Sequence, residues 1–245
     1  MIGKVLAGLS SQVWCDIQHM IVLDNASTDD TLDQAQQFVA SSGLADKIAV
    51  VANETNLGYG GSLQRGIALA LDTDCSHLIV MHSDDQCDWD LTLRHLINLA
   101  SAADAPDVVL ACRFLAGADV SKYSPLRRAG NYFFKYYTWI VTGLRMADPG
   151  TAIMAIRSDV LRGIEYDTLD RGFAFHPQLN ILLFEDKSIR KSETTLDWRD
   201  ASKDNKLALF RYGMRLLRIL TRYGWSRRVR RADPCTALRG LAPGQ

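Results

Sequence analysis

Along the first half of the chain, apolar residues fall in short unbroken runs separated by segments of helical spacing. HMIVL (19–23), KIAVVA (47–52), HLIVM (77–81) and DVVLAC (107–112) read as buried strands. DDTLDQAQQFVASSG (29–43), the segment 60–71 and DLTLRHLINLASA (90–102) read as the helices between them. The first of these helices has Ser27 or Thr28 as N-cap, acidic Asp29 and Asp30 at its positive end, and Gly43 as its stop. Strands that are apolar throughout, each followed by one helix, predict a mostly parallel sheet covered by helices on both faces. Ligands of such α/β sheets bind beyond the C-terminal ends of the strands, so the residues just after each strand are the ones to examine.

The second half is less regular. Residues 124–143 have helical spacing and are dense in aromatics; TAIMAI (151–156) and IRKSETTLDW (189–198) read as strands. From Lys203 to about Trp225 the pattern is that of one long amphipathic helix, and the final RADPCTALRGLAPGQ is expected to lack order. The expected organisation is one α/β domain over 1–202, a basic helix over 203–230 and a tail over 231–245.

A length of 245 residues with 47% hydrophobic and 23% charged residues suits a folded domain. No apolar stretch reaches the length of a membrane-spanning helix, and MIGKVLAGLSSQ is too weakly apolar for a signal peptide. The five cysteines are odd in number and lack a CxxC pair, which argues against a disulfide framework or a zinc site. A cytosolic location follows. The formal net charge of zero hides a split: from Lys203 onward there are eleven Lys/Arg against two Asp/Glu, a net of +9, which leaves −9 on the remainder. An acidic body with a basic end suggests an anionic membrane surface as partner. Nucleic acid is excluded, because the arginines alternate with bulky apolar residues and the body is acidic.

Three turns carry candidate chemistry. LDNASTDDT (23–31) places Asp24 at a strand end, where it suits a nucleobase or ribose; the same residue types also populate turns for local reasons. In NETNLGYGGSLQRGIALA (53–70), Gly58, Gly60 and Gly61 permit close backbone approach ahead of a helix N-terminus, although glycines also punctuate ordinary loops. MHSDDQ (81–86) is the strongest signal. His82, Asp84 and Gln86 alternate beyond an apolar strand, so extended geometry points them the same way, a donor set suited to Mg²⁺ or Mn²⁺ with positions left for phosphate oxygens. The competing reading is a polar loop that caps the next helix.

Taken in order, IVLDNASTDDT, NLGYGGSLQRGIALA, VMHSDDQCDW, CRFLAGA, SPLRRAGN and ADPGTAI resemble the family 2 glycosyltransferases of the GT-A fold. The likeness is to the branch with dolichol-phosphate mannose synthase and bacterial polyprenyl-phosphate glycosyltransferases. It implies a GT-A (Rossmann-like) α/β fold and transfer of a sugar from a GDP- or UDP-sugar to a polyprenyl or dolichyl phosphate. The reaction would be inverting and metal-assisted, at the cytosolic membrane face. The resemblance implies that Asp24, with Asn25, Ser27, Gly58 and Gly60, holds the nucleotide, and that Asp84, Gln86 and His82 hold the metal and diphosphate. His82 departs from the usual first Asp. Arg113 and Arg127 (or Arg128) match phosphate-approaching arginines, whose planar paired donors suit phosphate. Asp148 lies near the reaction centre, and Arg199, Ser202 and Lys203 sit in a segment that closes over the substrates. A lipid phosphate acceptor is already an anion and needs no strong base; a hydroxyl acceptor, the alternative, would take Asp148 as base.

Two further expectations follow. The Arg211, Arg215, Arg218 and Arg222 stripe, flanked by Phe210, Met214, Leu217 and Leu220, together with the aromatic cluster at 132–139, suits a headgroup interface; the competing reading packs both helices on the domain. The family also begins with a central strand and a base-contacting turn, whereas this sequence opens at IGKVLAGLSSQ, which resembles the helix after that turn. The expected consequence is a sheet whose neighbouring strands lack a hydrogen-bond partner, and an inactive binding homologue is a third reading of the chain.

Overall fold

A computed structural model describes residues 1–84, 86–199, 206–229 and 232–238. Helices α1 (Ile2–Ala7) and α2 (Ser11–Asp16) precede β1 (Met20–Asp24), α3 (Thr31–Ser42), β2 (Ile48–Ala52), α4 (Tyr59–Leu71), β3 (His77–Val80), α5 (Trp89–Ala100) and β4 (Val108–Cys112). Then come α6 (Pro125–Thr142), β5 (Met154–Arg157), α7 (Ser158–Arg162), a 3₁₀ turn, α8 (Phe175–Glu185), β6 (Lys191–Thr195), α9 (Lys206–Val229) and α10 (Pro234–Leu238). The expected strands and helices thus form, with ends moved by a few residues. The helix expected from 29 begins at Thr31 with Asp30 as its N-cap, and Gly43 closes it in the left-handed region (φ 71°).

The strands fall into two sheets. β1 and β2 pair in parallel, and β3, β5, β4 and β6 form a four-stranded sheet in that order. β5 runs antiparallel to both its neighbours, while β4 and β6 are parallel. β1 and β3 each have one ladder partner among the described residues. Burial follows: β4 is buried at every position, whereas β1 is buried only at Asp24.

The mixed sheet separates two apolar layers through the period-2 alternation of strand side chains. Val108, Leu110 and Cys112 of β4, with Met154 and Ile156 of β5, face a layer built from α4, α8 and α9. Val109, Ala111, Ile153 and Ala155 face the other layer, with Ile2, Leu6 and Val13 from the first two helices and Leu93 and Leu96 from α5. Helix α8 has no counterpart in the sequence pattern, because its residues from Phe175 to Leu183 are all buried. A helix covered on every side, with His176, Gln178 and Asn180 buried among its apolar residues, has no exposed polar face to set up a 3.6-residue period.

Two expectations about the C-terminal region are corrected. The long helix is not an appendage to the domain: Leu216, Ile219, Leu220 and Tyr223 of α9 are buried in the main core. Arg215 turns inward to the buried Asp170, while Arg211, Arg218 and Arg222 stay exposed with Phe210 and Met214. The tail expected to lack order contains α10, where Asp233 accepts from the Thr236 amide (3.0 Å) and Ala237 and Leu238 are buried. Helix α6 keeps an outward row of Phe133, Tyr136, Trp139 and Ile140 exposed. No helix among the described residues is long and apolar enough to cross a membrane.

Helices α6 and α9 approach closely where α9 has glycines. A Cβ on Gly213 would touch the Phe134 ring, and one on Gly224 would lie 2.3 Å from Val141 Cγ1 and 2.8 Å from Val141 O. We therefore expect Gly224→Ala to force α9 off α6 and to destabilise the fold by about 1–3 kcal/mol, the range for overpacked cores, read from the urea midpoint.

Candidate active site

The ends of β1, β3 and β4, the turn before β5, the first turns of α4 and α8, and the segment after β6 gather into one site. Asp24 closes β1 and is buried; its Oδ2 accepts from the Ser27 amide (3.1 Å), while its Oδ1 is buried with no partner. An unpaired carboxylate oxygen at this depth is costly unless a ligand donor meets it. Asn25 is used within the protein. Its carbonyl oxygen accepts from Asn53 Nδ2 and the Leu57 amide (3.0 Å each), and its amide donates to Asn56 Oδ1 (3.1 Å), so it ties the turn after β1 to the turn after β2. Ser27 contributes its backbone N–H to Asp24.

The glycine turn is occupied differently from expectation. A Cβ on Gly60 would lie 2.2 Å from Asp170 O, and one on Gly58 2.5 Å from Arg171 O. The close approach that these glycines permit is therefore made by the chain's own loop at 170–172. Tyr59, between them, sends its hydroxyl to His82 Nε2 (3.0 Å) and stacks on Phe173. Burial, and then the nearby Asp84, raise the Tyr59 pKa well above its ordinary value.

At the end of β3, His82 Nδ1 lies 3.6 Å from Asp84 Oδ2, and Asp84 Oδ1 is buried without a partner. Gln86 is brought near but turned aside: its amide donates to Arg199 O (3.4 Å), and the Arg199 amide donates back to Gln86 O (2.9 Å). Trp89 Nε1 donates to the Asp84 carbonyl, and Trp198 meets the His82 ring edge-on. Among the described residues no three His, Cys, Asp or Glu side chains form a cage. The unpartnered Asp84 Oδ1 is a hard carboxylate oxygen of the kind a divalent cation takes, and phosphate oxygens would have to supply most of the remaining ligands. Lys203 and Ser202 lie outside the described residues.

Arg113 and Asp148, expected as a phosphate contact and a base, are joined to each other. Arg113 Nε donates to Asp148 Oδ2 (2.7 Å), Nη2 to Oδ1 (3.0 Å), and the Arg113 amide to Oδ2 (3.2 Å). The guanidinium lies near the Phe114, Tyr123 and Trp198 rings. Burial works against its charge, but Asp148 outweighs burial and raises the arginine pKa. Asn180, buried in α8, donates to Pro149 O and Thr151 O (3.0 Å each) and fixes the turn that carries Asp148. Arg127 stands partly buried in the first turn of α6; its carbonyl accepts from Asn131, which also donates to Tyr123 Oη.

Sequence reasoning missed Tyr59, Asn53 and His176. Tyr59 was within the glycine turn and Asn53 opened it, so position alone was the available signal; His176 sits in a helix without a readable period. His176 is buried with both ring nitrogens unpartnered, 5.7 Å from the Tyr59 ring centre to centre. Burial, then the neighbouring His82, lower its pKa from 6.5 to about 3.

The model of glycosyl transferase family 2 matches residues 1–164. An undecaprenyl-phosphate mannosyltransferase of Micrococcus luteus is 26% identical over 157 residues, 64% of this chain and 62% of that protein. The match thus takes in less than two thirds of the relative's length. Among solved structures, glucosyl-3-phosphoglycerate synthase from Mycobacterium tuberculosis with Mn²⁺, UDP-glucose and phosphoglyceric acid superimposes with a TM-score of 0.64 at 17% identity, covering 91% of this chain and 74% of that one. Its complex with Mn²⁺, UDP and glucosyl-3-phosphoglycerate gives 0.61 at 16% identity, over 96% and 75%. These likenesses establish a shared fold.

His176 is neutral in the folded protein, whereas in the unfolded chain it takes up a proton below its ordinary pKa of 6.5. Its contribution to stability is present above pH 6.5 and is lost as pH falls toward about 3. In His176→Phe, urea midpoints should decline less steeply across that window than in the wild type.

Proposed function

As the chain belongs to glycosyl transferase family 2, we propose that it moves a sugar from a GDP- or UDP-sugar to a polyprenyl phosphate at a membrane surface, with inversion and with a divalent cation, Mg²⁺ or Mn²⁺. The observation that carries the acceptor assignment is the pair Arg113–Asp148. Asp148 is the candidate base for a hydroxyl acceptor, yet both its oxygens are held by one guanidinium. A carboxylate with both oxygens so engaged is turned to the guanidinium and not to a substrate hydroxyl, which favours an acceptor that arrives as an anion. The mannosyltransferase relative, whose name specifies a lipid phosphate, agrees with this.

In this reading the acceptor phosphate oxygen bonds to the anomeric carbon from the face opposite the nucleoside diphosphate, whose bond to the sugar breaks. The Asp24 Oδ1 accepts from the base or ribose. Arg127, with Arg199 and Lys203 from the segment beyond β6, offers charge to phosphates. Arg113 holds Asp148 and the turn after it, while Trp198 and Tyr123 wall the site from water. A cation held at Asp84 and His82 supplies, when bound, positive charge against the diphosphate leaving group. The aromatic row on α6 and the exposed Arg211, Arg218 and Arg222 on α9 suit rings in the headgroup zone and anionic lipid beside it. Contact on the cytosolic face completes the reading.

The test is transfer from GDP- and UDP-sugars to a polyprenyl phosphate, with phosphoglyceric acid as a competing acceptor. Lipid-linked product is expected, and Asp84→Asn should lower kcat about 10²-fold, as loss of a leaving-group contact does. Product on phosphoglyceric acid alone would overturn the lipid acceptor, and nucleotide binding without transfer to any acceptor would favour an inactive homologue. In flotation with anionic vesicles, replacing Arg211, Arg218 and Arg222 together by Gln should weaken binding by about 3 kcal/mol, at about 1 kcal/mol for each basic side chain near the surface. Unchanged flotation would count against the membrane contact.

A further inference from the structure

Of the four arginines that recur along α9, three face outward, while Arg215 donates through Nη2 to Asp170 Oδ2. Asp170 is 1% exposed. Its other oxygen accepts from the Gly172 amide (2.6 Å), and its own amide donates to Gln178 Oε1 in α8 (2.7 Å). One carboxylate therefore fixes the loop 170–172 at both its oxygens, with α9 supplying the counter-charge.

That loop rests on the glycine turn of the donor site. Arg171 O accepts from the Gly61 amide (3.0 Å), and the backbone of 170–172 fills the space that side chains at 58 and 60 would take. With three glycines and no side chains of its own to pack except Tyr59 and Leu57, the turn is held on one side by this backbone contact and on the other by Asn25 and Asn56, which accept from the Leu57 and Gly58 amides. Tyr59 then stacks on Phe173 of the same loop, at 5.2 Å between ring centres, and its hydroxyl reaches His82. Phe173 in turn meets Tyr212 of α9 edge-on. Two contacts thus lead from α9 to the turn, one ionic through Arg215 and one aromatic through Tyr212.

We propose that Arg215 and Asp170 are positioning residues of the donor site: their ion pair docks α9 so that the 170–173 loop holds the glycine turn and sets where Tyr59 meets His82. The physical reason is the cost of an uncompensated charge. Without the guanidinium, a carboxylate buried at position 170 is driven toward water, and it takes with it the backbone that grips Gly58–Gly61. The helix that carries the outward basic face is, on its inner side, part of the donor site. The positional claim rests on the donor reading of residues 82–86, so its test has one readout that needs no ligand.

That readout is hydrogen exchange of the amides at 58–62 in the full chain. Arg215→Gln should speed it by at least about fivefold, the lower end of measured couplings between sites, while Arg218→Gln leaves it unchanged and Arg215→Lys restores most of the protection. Asp170→Asn keeps an oxygen for the Gly172 amide and leaves no buried charge, but it removes the ionic tie to α9, so it decides the matter if Arg215→Gln fails to fold; it should show a smaller increase confined to the same amides. In calorimetry with UDP or GDP and Mn²⁺, the same variants should weaken binding by at least about fivefold, without change in vesicle flotation. Wild-type exchange at 58–62 in a folded Arg215→Gln or Asp170→Asn chain would overturn the proposal, as would an equal increase in Arg218→Gln. A wild type that binds neither nucleotide would count against the donor reading alone, because the exchange result stands by itself.

Discussion

The two-pronged bond between Arg113 and Asp148 organises the ligand-facing edge of the sheet. It joins the residue after β4 to the turn before β5, two strands that are also paired in the ladder. Its charges sit among Phe114, Tyr123 and Trp198, where water is scarce, so each is compensated chiefly by the other. The rings come from the loop after β4 and the segment after β6. They gather around one guanidinium where the parallel β4–β6 ladder ends and the Trp198 amide donates to Asp119 O (2.9 Å). Asn180 secures the same turn from the α8 side, so the pair is held from two layers of the fold.

This arrangement changes the roles that the residue types alone suggest. An arginine beyond a strand invites a phosphate, and an aspartate in a D-P-G turn invites a proton. Joined together they form a fixed corner, with guanidinium donors of Arg113 beyond the two that Asp148 takes. The buried, unpartnered oxygens of Asp24 and Asp84 mark the ends of β1 and β3. Among the described residues both strands sit at a sheet edge, each with one ladder partner.

Helix α9 serves two faces at once. Its inward side contributes Leu216, Ile219, Leu220 and Tyr223 to the main core, and its outward side keeps arginines in water. The close contact with α6 at Gly213 and Gly224 places the α6 aromatic row alongside that basic side. The buried Tyr223 hydroxyl donates to Glu185, which also receives Arg227, so the far end of the helix is pinned to α8 as well.

The sequence by itself determined the order of the strands and most helices, the family likeness, and the turns at 24, 58–61 and 82–86 where chemistry gathers. These are local matters: apolar runs, caps and glycines act within a few residues, and periodicity reports them. Only the tertiary structure decided which polar groups are spent on the protein and which remain. Asn25 is consumed by Asn53 and Asn56, Gly58 and Gly60 by the 170–172 loop, Arg113 by Asp148 and Arg215 by Asp170; each partner is far along the chain or its role invisible in spacing. Helix α8 and the buried His176 escaped for the same reason. A segment covered on every side has no polar face, and burial is a property of the whole fold rather than of the segment.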